Sequence, residues 1–203
     1  MSTGIAYAVE GLEKSTRYYW TVTVDTIDGQ TITSAPATFV TDADMDAAQW
    51  IMPKQESGCM PLLRTEQTLS GTVTSAYLSM SALGSYTAYI NGAELQPDGI
   101  NDLFAPGWTD YNSFVNYQTY DVTDYIQSDT LVLGVELAKG WYAGKIGSEG
   151  GYGGVIGDAN ANELALIAHL VINYEDGTQQ IIDTNETDWF SSDVKLMSTS
   201  AAF

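Results

Sequence analysis

Apolar and polar positions alternate along most of this chain. Tyr18, Trp20, Val22 and Val24 interleave with Tyr19, Thr21 and Thr23. A period of two sends successive side chains to opposite faces, as a half-buried β-strand requires. Asp28-Gly29 marks a turn, and Thr31 to Phe39 reads as the return strand. Ala76, Leu78 and Met80 alternate with Tyr77, Ser79 and Ser81. Tyr86, Ala88 and Ile90 alternate and run into Asn91-Gly92. That dipeptide tolerates the positive φ angles of a tight hairpin and predicts one there. Leu131, Leu133, Val135 and Leu137 form a further set. The run from Leu164 to Tyr174 is apolar at both parities, which predicts a central sandwich strand, and Thr178 to Asp183 returns from it after Glu175-Asp176-Gly177. Helical signals are confined to two short turns, Asp44 to Trp50 and Val122 to Ile126. Short strands punctuated by Gly, Asn and Asp predict an all-β sandwich.

Composition narrows the function classes. The chain has 203 residues, of which 44% are hydrophobic and 11% aromatic. That is enough to bury a core and argues against disorder. Against 26 acidic residues stand 7 basic ones, a formal net charge of −19. This excess argues against nucleic acid or an anionic membrane surface as partner, because phosphate recognition needs Lys and Arg. No apolar run approaches the ~18–20 residues of a membrane-spanning helix. Met1 leads into Ser2, Thr3 and Gly4 without the basic start of a signal peptide. A single cysteine, Cys59, excludes an internal disulfide and a Cys-based metal cluster. A single histidine, His169, leaves a nucleophilic triad or dyad only one possible base. Its place in Leu166–Ile172 predicts a core or edge histidine rather than a ligand. The segment 144–157 is rich in glycine but has no Gly-Lys-Ser/Thr, so it is not a phosphate loop. It is expected to be a loop, and such loops rim binding sites on rigid sandwiches.

The acidic stretch Asp42-Ala43-Asp44-Met45-Asp46 is the natural linker. The expected organisation is a first module over 1–42, a linker over 43–49, a sandwich over 50–193, and the start of a further linker over 194–203. In the first piece, Leu12, Tyr18 and the alternating residues after it resemble the tyrosine corner and following strand of a fibronectin type III domain. A whole sandwich of this type takes about 100 residues, so 1–42 is expected to be part of one and the chain a fragment of a longer protein.

The second piece carries a series of motifs in order. They are Trp50-Ile51, Pro61-Leu62-Leu63-Arg64, Leu83-Gly84-Ser85-Tyr86, and Tyr89-Ile90-Asn91-Gly92. Then come Pro106-Gly107-Trp108-Thr109-Asp110-Tyr111, Tyr117-Gln118-Thr119-Tyr120-Asp121-Val122-Thr123, and Gly140-Trp141-Tyr142-Ala143-Gly144. Tyr174-Glu175-Asp176-Gly177 and Asp188-Trp189 close the series. Over roughly residues 48–193 the order and spacing resemble the N-terminal β-sandwich domain of bacterial α-L-rhamnosidases, glycoside hydrolase family 78. The resemblance implies a jelly-roll-like β-sandwich preceded by a partial fibronectin type III-like sandwich. It implies a non-catalytic accessory fragment, because hydrolysis in that family takes place in a separate (α/α) barrel. No catalytic residue is therefore assigned, and the chain is expected to be inactive alone. The barrel is the implied partner. A related module class in these enzymes binds L-rhamnose with calcium, which makes rhamnose-containing glycans and calcium the implied ligands. The alternative is a purely structural or interaction sandwich with no ligand.

The residues themselves suggest where a sugar would sit. Sugars offer C–H faces to aromatic rings and hydroxyls to carboxylates. Trp108, Asp110 and Tyr111 supply both in one loop, and Trp141 and Tyr142 follow a buried strand. The competing reading makes Trp108 a plug at the end of the sandwich and one of Trp141 and Tyr142 core. Calcium takes six to eight oxygens from loop carboxylates, amides and carbonyls. Asn101, Asp102 and Asp158 are the candidates for it. Asp121 is expected to cap a short helical turn. Low Lys content with abundant Tyr, Thr and Ser is compatible with secretion, which is expected ahead of a cytoplasmic location.

Overall fold

A computed structural model describes residues 7–53, 59–95, 105–144 and 163–195. The chain divides into two compact units, Met1–Asp44 and Met45–Phe203.

The first unit is built from four short strands: β1 (Arg17–Trp20), β2 (Thr23–Asp25), β3 (Thr31–Thr33) and β4 (Ala37–Val40). β1 pairs with β4 and β2 with β3, both antiparallel. The sequence predicts one continuous strand on each side of Asp28-Gly29, and each is interrupted. At the break, Val22 N donates to Ser34 Oγ at 3.0 Å. Ser34 N donates in turn to Val22 O at 2.8 Å. Pro36 has no N–H to continue the ladder. The Tyr18 hydroxyl accepts a hydrogen bond from Glu13 N at 2.9 Å, and its ring stacks on Phe39 at 5.9 Å.

The second unit holds β5 (Cys59–Thr68), β6 (Val73–Leu83), β7 (Ser85–Ile90), β8 (Ala93–Glu94), β9 (Gln118–Asp121), β10 (Thr130–Ala138), β11 (Ala165–Tyr174), β12 (Gln179–Asp183) and β13 (Phe190–Lys195). They form a five-stranded sheet, β13-β5-β10-β7-β8, and a four-stranded sheet, β12-β11-β6-β9. All pairings are antiparallel. One core lies between the sheets. Leu63, Ile90, Leu131, Leu133 and Leu137 enter it from the larger sheet; Leu78, Met80, Leu166, Leu170 and Ile172 enter it from the smaller. β10 alternates buried and partly buried positions without a break, the half-buried pattern its sequence predicts. At the hairpin after β7, Asn91 and Gly92 both take positive φ, 51° and 83°. The Asn91 side chain also accepts from Val132 N at 2.8 Å and ties the turn to β10. In the turn after β11, the Asp176 carboxylate accepts from Thr178 N and Oγ1, and these bonds lower its pKa.

The two central strands of the smaller sheet, β6 and β11, are buried on both faces. Besides the core-facing set, Tyr77, Ser79, Ser81, Ile167, His169 and Val171 on the opposite face are buried. This explains why Leu164 to Tyr174 reads as apolar at both parities. His169, 4% exposed, is a core histidine: its Nδ1 lies 2.7 Å from Asp183 Oδ1 on the neighbouring strand. On its other side the register places Ser79, whose Oγ shares a 2.7 Å hydrogen bond with Thr119. Polar groups on this face are thus paired across the strands, which keeps the cost of burying them low. Trp189 closes the same corner, its Nε1 donating to Asp183 O at 3.1 Å.

Besides the short β8 and β9 and the last strand β13, the element the sequence leaves unread is β5. Pro61 breaks its pattern, since proline lacks a ladder donor. Pro61 lies one residue beyond the pairing with β10, which ends at Leu62. Both predicted turns occur, as a bend near Met45–Ala48 and a 3₁₀ turn at Thr123–Tyr125. Before the latter, Asp121 Oδ1 accepts from Thr123 N at 3.1 Å and Thr123 Oγ1 at 2.6 Å.

Asp183→Ala leaves the buried His169 ring without its partner and is expected to cost about 1–3 kcal/mol. In urea denaturation this appears as a lower midpoint at unchanged slope. Ser192→Ala, on the exposed face, is expected to stay within about 0.5 kcal/mol of wild type.

Candidate functional site

Five of the residues singled out for sugar binding belong to two segments that meet at one end of the sandwich. The first is the loop between β8 and β9. Its described part starts at Ala105, whose carbonyl accepts from Tyr86 N at 3.0 Å. The Thr109 hydroxyl donates to Phe114 O at 2.9 Å, and Ser81 Oγ donates to Asn116 O at 2.6 Å. Asp110 organises the turn between them. Its Oδ1 accepts from Asn112 N at 3.2 Å and its Oδ2 from Ser113 Oγ at 2.8 Å. The Asp110 carboxylate therefore shapes the loop that carries its aromatic neighbours.

The second segment is a single helical turn, Gly140–Ala143, directly after β10. Two close backbone approaches set it. Gly140 has φ +49°, and a Cβ there would lie 2.9 Å from Ser85 N. Gly84 has φ +136°, and its Cβ would meet Ala138 O at 2.5 Å. No side chain fits at either position, so the start of β7 and the end of β10 close against each other and throw Trp141 outward.

The meeting is aromatic. The Trp108 and Trp141 rings stack at 6.0 Å with an interplanar angle of 21°. Both remain open to solvent, 63% and 44% exposed. In the same two segments Tyr111 packs edge-on against Tyr142 at 5.1 Å, an angle of 71°. Tyr142 is buried in the core, and the Tyr111 hydroxyl donates to Gly107 O at 3.3 Å. Trp108 is thus no plug, and of the pair after β10 it is Tyr142 that is core. The result is an exposed two-indole platform whose two segments also meet through a buried tyrosine. An exposed indole face presents a flat apolar surface with a ring edge able to donate a hydrogen bond, which suits the C–H face of a pyranose.

Phe114 and Tyr117, exposed in the same loop, extend the aromatic character of this end. Their loop position is the signal that points to them, since neither belongs to a strand with a buried face. Asn101, Asp102 and Asp158, the calcium candidates, and the glycine-rich segment beyond Gly144 lie outside the described residues. Among the described residues no three His, Cys, Asp or Glu side chains gather as a metal ion would need.

Comparison with known proteins places this architecture. Residues 71–201 match the family model described as the alpha-L-rhamnosidase N-terminal domain. An alpha-L-rhamnosidase of Streptomyces avermitilis is 38% identical over 126 residues, which cover 62% of this chain and 11% of that protein. One from Alteromonas is 31% identical over 143 residues, 70% of this chain and 15% of that protein. Among solved structures, the native alpha-L-rhamnosidase of Aspergillus terreus superposes with TM-score 0.75 at 29% identity, covering 91% of this chain and 22% of that one. The Dictyoglomus thermophilum enzyme gives 0.74 at 25% identity, covering 92% and 21%. The chain therefore spans only about a tenth to a fifth of the relatives it matches.

Gly140→Ala combines a left-handed backbone with a clash against Ser85 and is expected to destabilise the second unit by about 1–3 kcal/mol in urea denaturation. Trp108→Ala is expected to cost about 1 kcal/mol or less while removing the stacked-indole signal from the near-UV circular dichroism spectrum.

Proposed function

The chain belongs to the alpha-L-rhamnosidase N-terminal domain family, and we propose that it works as a non-catalytic module of such an enzyme, holding rhamnose-containing glycan beside a separate catalytic domain. The stacked, solvent-open Trp108–Trp141 pair carries this reading. Two exposed, stacked indoles suit a sugar module, because ring stacking supplies affinity without charge. The loop bonds of Asp110 and the close approach at Gly84 and Gly140 hold the platform in place before ligand arrives, which lowers the ordering cost of binding.

The same residues argue against hydrolysis within this chain. Glycoside hydrolysis takes two carboxylates facing each other across the scissile bond, one of them with a raised pKa. Asp110, the carboxylate of the Trp108 loop, is bonded within its own turn. The catalytic partner, an (α/α) barrel as the resemblance implies, is the domain this module would serve. We read the first unit as part of a fibronectin type III-like module. Its support is the Tyr18 hydroxyl, which turns back to bond Glu13 N as a tyrosine corner does.

Titration with L-rhamnose is expected to change tryptophan fluorescence saturably at millimolar sugar, the affinity range of a small stacking site. Trp108→Ala or Trp141→Ala is expected to weaken binding by about tenfold, or about 1.4 kcal/mol. A flat titration of a folded wild-type chain would leave only the supporting role. With an aryl α-L-rhamnoside as substrate the chain is expected to give no turnover; measurable, purifiable turnover would overturn the non-catalytic assignment.

A further inference from the structure

The outer face of the five-stranded sheet, the face turned from the core, carries a groove of about 320 Å³. It is lined by Leu62, Arg64, Tyr89, Gly134, Glu136 and Phe190, among others. Register explains its shape. Phe190 on β13 lies opposite Arg64 on β5, Arg64 opposite Gly134 on β10, and Gly134 opposite Tyr89 on β7. One transverse row thus runs Phe190–Arg64–Gly134–Tyr89, with the glycine as a gap between long side chains. The adjacent row runs Ser192–Leu62–Glu136–Thr87.

Gly134 is the informative residue. A glycine inside a central strand weakens it and marks a bulge, a bend, or a place where a ligand or another backbone comes close. No bulge is present: the register runs without a shift through Gly134 on both sides. Its φ lies outside the left-handed region, and a Cβ there would meet nothing within 4 Å. The backbone has no need of glycine at this position, and the missing side chain only deepens the groove.

The walls define what fits. Tyr89 and the 68% exposed Phe190 supply aromatic surface at the two ends of the row. The Tyr89 hydroxyl is hydrogen-bonded to Glu136, and burial together with the charges of Glu136 and Glu94 raises its pKa. Glu136 therefore holds a fixed acceptor at the floor. Arg64 is neutralised by its ion pair with Glu66. A cavity of a few hundred Å³, mostly apolar and aromatic with a few fixed polar groups, has the make-up of a small-molecule site. With its arginine paired and its other fixed charge a carboxylate, the groove repels anions and complements a neutral ligand that donates hydroxyls.

We propose that this groove is a second ligand site, taking one neutral pyranoside whose ring packs over Gly134 between Tyr89 and the Arg64 side chain, with Phe190 beyond Arg64 closing the end of the row, and whose hydroxyls donate to Glu136. It is separate from the indole platform and does not rest on it.

Two-dimensional ¹H–¹⁵N NMR of the chain separates the two sites. The groove reports through the Gly134 backbone amide, and the platform through the indole N–H of Trp108 and Trp141. The probes are L-rhamnose, D-glucose, D-galactose and D-mannose, each titrated to tens of millimolar. The expected result is a saturable shift of the Gly134 and Tyr89 amides with at least one sugar. Gly134→Leu fills the gap without strain and is expected to abolish the shift at Tyr89 while any indole shifts persist. Tyr89→Phe is expected to weaken groove binding several-fold. No groove shift with any of the four sugars overturns the proposal. So does a Tyr89 shift that survives in Gly134→Leu. Shifts of the same amides on raising protein concentration without sugar would assign the groove to self-association, and likewise overturn it.

Discussion

Burial of both faces of the β6–β11 pair is the constraint on which the second unit depends. One face meets the larger sheet through Leu78, Met80, Leu166, Leu170 and Ile172. The other is closed over Tyr77, Ile167 and Val171, with the His169–Asp183 and Ser79–Thr119 bonds satisfying the polar groups trapped there. A one-residue slip would exchange these two sets, driving Ser79 and His169 into an apolar core. The register is therefore fixed from both sides at once, and every connection at the ends of these strands inherits a fixed position.

That rigidity is what the aromatic platform draws on. Ser81 on β6 anchors the Trp108 loop through Asn116, and the meeting of Gly84 with Ala138 joins the end of β6 to the end of β10. Trp108 and Trp141, 33 residues apart in sequence, are brought face to face by segments anchored in this way. A flat platform on a stiff scaffold binds by stacking with little left to order, a sound arrangement for neutral sugars in a chain of net charge −19.

Much of this was legible in the sequence, and the exceptions have physical causes. Period-two alternation located β6, β7 and β10, the unbroken apolar run at Leu164 to Tyr174 marked β11 as central, and the Glu175-Asp176-Gly177 turn placed β12 as its return strand. Asn91-Gly92 was readable because only a positive-φ pair closes so short a turn. β5 escaped because Pro61 imitates a strand boundary, whereas in the fold it lies just beyond the β10 pairing and opposite Asp193 on β13. The broken strands of the first unit escaped because the Ser34 side chain substitutes for a ladder partner at Val22, and such a bond has no period. Aromatic residues in loops pointed to the platform, but only packing could separate Trp141 from Tyr142 and turn Asp110 into a loop-former. The groove over Gly134 was not legible at all: its row is assembled from four strands, and one sequence does not display its own register.

A crystal structure of the chain grown with saturating L-rhamnose tests the central claim most directly. The account predicts a sugar ring stacked on the exposed face of Trp108 or Trp141, with Asp110 still bonded to Ser113. Unaltered, solvent-covered indoles at saturating sugar would contradict it.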